Sequence, residues 1–250
     1  MKVQKLIGLL IIGFWAVMMV AHLLREEILF PPSQEVLTYK RIFEDRLPFQ
    51  EHWMGVYLSD KKIGYLSSMA SPYRKEDASG LLLSHQASLS LPIQSEIYAL
   101  DLQGYSLIDS NHLLREISFH LFSDLHHLTV KGERCGEDFI LRIKGLEEEE
   151  TVMLPKFQSI SSPFIPIFSL PGLKENRTYT INLFDPIKLE TQKATLKIKE
   201  RRKEYILAEI SYQNHKTELE MNKRGEITKI ITPFGLTFQR EDEEEAKKIE

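Results

Sequence analysis

The sequence predicts an all-β domain carried on an N-terminal membrane anchor. Three observations point there. Apolar residues recur at every second position from His52 onward, and turn-forming residues interrupt them at short intervals. Ahead of them, Leu6–Leu24 reads LIGLLIIGFWAVMMVAHLL. The strands are expected to follow one another as an antiparallel meander forming an open barrel, a β-spiral or a sandwich-like domain, between a transmembrane helix and a short terminal helix. No long amphipathic helix separates the strands, which disfavours a doubly wound α/β fold.

Leu6–Leu24 is apolar except for His22. As a helix it would be roughly 28 Å long, close to the hydrocarbon thickness of a bilayer. Lys2 and Lys5 precede it and the mixed Arg25-Glu26-Glu27 follows, so the rest of the chain is expected outside the cytoplasm. Met19-Val20-Ala21 carries Met where a signal-peptide cleavage site needs a small residue. The single cysteine, Cys135, is too far along the chain to be a lipid-bearing one. The expected organisation is a cytoplasmic stub and signal anchor over residues 1–27, a connector over 28–50 and an extracytoplasmic β-rich domain over 51–250. The expected location is a bacterial inner membrane, crossed once through residues 6–24, with the domain in the periplasm or otherwise outside.

In the connector, Pro31-Pro32 stops any helix and Ser33-Gln34-Glu35 can cap a short second one. Met54, Val56 and Leu58 then share one face of a strand, with Trp53, Gly55 and Tyr57 on the other; Ser59–Lys62 turns the chain into Ile63–Leu66. Leu81, Leu83, His85, Ala87, Leu89 and Leu91 alternate along a long strand, with Ser or Gln between several of them. Asp101–Gly104 reads as a turn, and Gly132, Gly136 and Gly145 as further punctuation. Glu147–Glu150 is a solvated charge run. Pro155–Pro171 is too apolar for a free linker and too proline-rich for an interior strand. It is expected to cover the sheet with Phe157, Phe164, Ile165 and Phe168, as a strap or as a gate. Short strands continue from Thr178 to Arg240, and the last residues are helix-permissive, with Glu243 four residues before Lys247.

The net charge of −4, with Arg201-Arg202-Lys203 flanked by Glu200 and Glu204, offers no basic surface for nucleic acid. Cys135 reads as a buried small side chain, which would suppress its thiolate, or as a partner for intermolecular pairing. His120, His126 and His127 lack paired metal-ligand spacing, and Asp101, Asp109 and Asp124 sit at turn positions. No G-x-S-x-G, H-E-x-x-H or P-loop motif occurs. The reading is therefore non-enzymatic, with no metal and no cofactor. The binding residues it favours are Trp53, Tyr57 and Tyr65 near the first hairpin, His85 as a polar point in an apolar register, and Phe164 and Phe168 on the strap. Each of these also fits a core role, Trp53 above all.

Glu51–Leu58 with Lys62-Ile63-Gly64-Tyr65, then Leu170-Pro171-Gly172, Phe184-Asp185-Pro186, Pro233–Leu236, Arg240-Glu241 and Ala246, resemble the non-catalytic N-terminal region of bacterial transglutaminase-like membrane proteins. The resemblance covers about Glu51–Ala246. In such proteins a papain-like domain with a Cys-His-Asp triad follows, whereas this sequence stops at Glu250 and Cys135 matches no catalytic position. The resemblance implies an accessory module for a separately encoded envelope enzyme, a cell-wall or polysaccharide partner or another envelope protein. Carriage of a lipid or other amphiphile inside an open barrel is the alternative expectation, and an enzyme of unrecognised type a further one.

Overall fold

The structure, a computed structural model, describes residues 35–38, 40, 50–75, 78–93, 96–123, 127–145, 149–155, 157, 169–170, 172–175, 177–185 and 190–248. The expected anchor, residues 6–24, and the strap residues Phe164, Ile165 and Phe168 lie outside these. Among the described residues no helix is long and apolar enough to cross a membrane.

Two antiparallel meanders build one open sheet of 15 strands. The first runs through β2 (Gln50–Leu58), β3 (Lys61–Lys75), β4 (Ala78–Ile93), β5 (Glu96–Asp109), β6 (Leu114–Ser123), β7 (His127–Cys135), β8 (Asp138–Lys144) and β9 (Glu149–Leu154). The second runs through β10 (Thr178–Asp185), β11 (Glu190–Arg201), β12 (Tyr205–Tyr212), β13 (His215–Asn222), β14 (Ile227–Ile231) and β15 (Leu236–Glu241). β15 pairs with β2 and so joins the meanders. Where a capped helix was expected, Glu35–Val36 instead forms β1, parallel to Tyr179-Thr180 on the edge strand β10. That pairing delivers the side chain of Leu37 into the core.

Alternation explains which side faces in. Met54, Val56, Leu81, Leu83, Ile108, Phe119, Phe139 and Leu141 are buried, and one apolar cluster runs from them to Tyr179, Ile181, Leu196, Leu219 and Met221 in the second meander. The covering role expected of the segment after β9 holds for its described part. Phe157 is buried and stacks on Phe139, centroids 4.9 Å apart. Arg134 ties it down, donating to the carbonyl oxygens of Leu114 and Phe157. Further on, Leu170 donates to Gly225 O, and Arg201 donates to Leu173 O, so the same segment is laced to the second meander.

Two expectations about turns and one about burial need correction. Asp101–Gly104 is not a turn: β5 runs straight through it, and Gly104 sits opposite Phe119. Gly132 likewise lies inside β7. A Cβ at Gly104 would overlap the Phe119 ring, and one at Gly132 would overlap Phe139, Leu141 and Ile117. These glycines are seats for aromatic side chains of neighbouring strands. Cys135 is exposed, not buried, because it is the last residue of β7 before the tight Gly136-Glu137 turn. The true turns are short. Ser59 and Asp60 both hold positive φ, 49° and 66°, as a two-residue turn between right-twisted strands demands.

The chain ends in α1 (Glu243–Lys247), capped by Asp242, whose carboxylate accepts from Glu245 N at 2.8 Å. The anticipated Lys247–Glu243 ion pair forms, and the buried Ala246 holds the helix against β2 and β3.

Substitution tests the seating role directly. Gly104→Ala and Gly132→Ala should each destabilise the full chain by about 2 kcal/mol through overpacking. Gly145→Ala, where a Cβ meets nothing within 4 Å, should shift the urea midpoint little.

Candidate functional site

Strand register, rather than sequence proximity, assembles the site. Across β2 to β7, His52, Ser68, His85, Gly104, Phe119 and Val130 are successive Cα partners, and this row faces the core. The rows on either side of it face outward. One is Glu51, Met69, Ser84, Tyr105, Ser118 and Lys131; the other is Trp53, Ser67, Gln86, Gln103, His120 and Thr129. A third outward row runs Gly55, Tyr65, Ser88, Asp101, Phe122 and His127.

Where the short side chains of Ser67, Ser84 and Ser118 interrupt the longer ones of these rows, an open cleft of about 470 Å³ runs across β2–β6. Ser67, Met69, Ser84, Gln86, Gln103, Tyr105 and Ser118 line its middle, Glu51 lines it on β2, and the peptide groups of Ser68, His85 and Gly104 form its floor. Trp53 borders one end, 5.6 Å from Tyr65, and Lys247 of α1 lies over its indole at 4.6 Å. Tyr65 accepts a hydrogen bond from Gln86 Nε2 at 3.3 Å. At the far end His120, Phe122 and His127 stack, the last two 4.6 Å apart. A second cleft of about 290 Å³ continues the trough toward Lys131 and Arg142, sharing Tyr105, Ser118 and His120.

The charges around this trough are largely matched. Tyr105 donates to Glu116 Oε1 at 2.6 Å, which pushes the phenol up to about 12 and keeps it a neutral donor. Arg142 pairs with Glu133 at 2.7 Å, and Lys62 with Glu241 at 2.7 Å. The last pair is part of a clamp. The Glu241 carboxylate occupies the space a side chain on Gly55 would fill, and it accepts from both Tyr57 Oη and Lys62.

The residues singled out from sequence therefore separate. Trp53 lines the cleft, and Tyr65 stands behind it against Trp53 and Gln86. Tyr57 belongs to the clamp, its hydroxyl engaged by Glu241. His85 contributes floor, but its ring points to the core, 4 % exposed and 6.3 Å from the Phe119 ring. Phe164 and Phe168 lie outside the described residues. Gln86, Gln103 and the three serines were passed over, although Ser and Gln between the apolar residues of β4 were the visible signal. Such positions usually just face water.

Chemically, the outward rows offer hydroxyls, amides and ring faces. Ser68 Oγ and His85 Nδ1 hydrogen-bond at 2.9 Å, a nucleophile-to-base distance. The pair nevertheless sits on the inner face, and burial lowers the His85 pKa to about 4, so it is a weak base at neutral pH. Among the described residues no group of three or more His, Cys, Asp or Glu is arranged to hold a metal ion.

No protein-family model matches the chain, and no curated protein matches it either. Among solved structures it is similar to the crystal structure of a DUF1089 family protein from Pseudomonas aeruginosa. The two share 18% identity with a TM-score of 0.37, over 64% of this chain and 87% of that one.

The neutral state of His85 ties stability to pH. Its folded pKa lies below the unfolded value of 6.5, so its stabilising contribution is complete above about pH 6.5 and declines as pH falls toward 4. The loss over that window should be about 3 kcal/mol. The comparison to make is the denaturation midpoint against pH for the wild type and His85→Asn: the wild-type curve should fall more steeply between pH 6.5 and 4.

Proposed function

We propose that the chain is a membrane-anchored extracytoplasmic binding or scaffolding module. In this reading residues 6–24 hold it in a bacterial inner membrane. It acts as a non-enzymatic accessory to a separately encoded envelope enzyme or polymer system. The observation that carries the binding role is the trough across β2–β6, with uncharged hydrogen-bonding groups in its middle and aromatic rings at its ends. Ligand sites combine apolar surface with a few placed polar groups in this way. The resemblance of Glu51–Ala246 to the non-catalytic region of transglutaminase-like membrane proteins supports the accessory role.

Placement decides the test. A photo-crosslinking residue at Gln103, in the trough, should give an adduct of defined mass in intact cells. The same residue at Lys229, on the outer side of the second meander, should not. Equal labelling at both positions, or none at Gln103, would overturn the assignment of the trough as the binding site.

A second reading, carriage of an amphiphile in the interior, is favoured by one separate observation. His85 Nε2 and the hydroxyl of the fully buried Ser106 have no hydrogen-bond partner among the described residues, and both face inward. A carrier would give them a ligand head group. Native mass spectrometry of the full chain released from its own membrane should then show a retained adduct of several hundred daltons; a bare chain would exclude this reading.

A further inference from the structure

We infer that the trough across β2–β6 takes an uncharged, hydroxyl-rich glycan chain lying across the strands. This rests on the binding-module reading and names its ligand class. The shape supplies the first argument. The five strands span four intervals of about 4.8 Å, roughly 19 Å in all, and a β-linked pyranose chain advances per sugar by about one such interval. Four sugars would therefore sit over successive strands and meet the same two outward rows at each step.

The chemistry of the lining supplies the second. A sugar presents an apolar C–H face and an equatorial rim of hydroxyls. Trp53 at one end and His120 at the other offer ring surface for the faces. Gln86, Gln103 and Ser84 offer amide and hydroxyl groups that donate and accept at once, as a rim of hydroxyls requires. Gln86 and Gln103 are directly paired across β4 and β5, so their two amides project side by side in the centre of the trough, and both are exposed.

Three other occupants fit worse. An anionic polymer needs an unbalanced basic surface, but Lys62 and Arg142 are paired with Glu241 and Glu133, and Lys247 with Glu243. An acyl chain needs an enclosed apolar lining, whereas this trough is open and sets Ser67, Ser84, Gln86, Gln103 and Ser118 around Met69. An extended peptide usually binds by adding a strand to a free edge. Here the floor is the centre of a sheet, where β3, β4 and β5 are each already paired on both sides. A peptide's own N–H and C=O groups would find no ladder to join. Sugar hydroxyls need none.

The chain has two tryptophans, Trp15 in the expected anchor and Trp53, so Trp15→Phe leaves Trp53 as the sole indole. The full-length Trp15→Phe chain in nanodiscs, free of glycoside detergent, is titrated with cello- and chito-oligosaccharides of two to six sugars. Trp53 fluorescence should respond, and affinity should rise with length up to about four sugars and then level. By calorimetry, Gln86→Ala/Gln103→Ala should weaken hexasaccharide binding at least tenfold. Its urea midpoint should be unchanged, because both side chains are exposed.

Each other outcome overturns a stated part. Binding that persists undiminished in the double variant places the glycan elsewhere. Binding only to polygalacturonate or heparin, lost in high salt, overturns the uncharged class. If no saccharide binds while the crosslinker at Gln103 still captures a ligand, the glycan class fails and the binding-module reading stands. If neither reports binding, both fail.

Discussion

The pairing of β15 with β2 is the contact on which the rest of the structure depends. It aligns Leu236–Glu241 with Leu58–Trp53 and turns two separate meanders into one sheet. Bringing together segments about 180 residues apart costs on the order of 5 kcal/mol in chain entropy, so the junction needs more than its ladder. Glu241 supplies it. Its carboxylate lies across Gly55 and binds Tyr57 and Lys62, with the Glu241 and Lys62 side chains only 8 % and 9 % exposed. Removing one member would leave a largely desolvated charge, which is why such a pair is costly to break. Lys62 also donates to Glu245 O and thereby fixes α1 beside Trp53. The same few side chains thus join the two meanders and build one end of the trough.

The two faces of β2–β6 answer different physical demands with the same strands. Inward, large aromatic side chains must be seated, and glycines at 104 and 132 make room for Phe119 and Phe139. Outward, the register brings Ser67, Ser84 and Ser118 beside Gln86 and Gln103, and the short serines leave a depression instead of a ridge. A one-residue slip anywhere between β2 and β6 would exchange the two faces. The buried Ser68–His85 hydrogen bond lies on the row between the two trough-lining rows and gives β3 and β4 a specific polar partner in that register.

The β class and the inward alternation were legible because period two survives in nearly every strand. Met54, Val56, Leu81 and Leu83 are buried as their spacing demands. Glycine misled at 104 and 132, since its absence of a side chain serves a turn and an aromatic seat equally well, and only the facing residue decides. Cys135 misled because burial statistics say nothing of a residue that ends a strand at a tight turn. The trough was barely legible. Trp53 and Tyr65 stood out as aromatics, but Ser67, Gln86, Gln103 and Ser118 become neighbours only through the pairing of β3 to β6. Tyr57 is set apart from them by a partner 184 residues away. Sequence alone carries no signal for either fact.

We propose that the outward, aromatic-ended trough, set among strands that are each paired on both sides, holds a ligand. The most direct measurement is side-chain NMR on the full chain with cell-envelope extract added. The Trp53 indole and the Gln86 and Gln103 amide signals should shift together, while those of Gln192 and Gln213, which bond each other in the second meander, stay fixed. Unmoved trough signals, or shifts confined to Gln192 and Gln213, would contradict it.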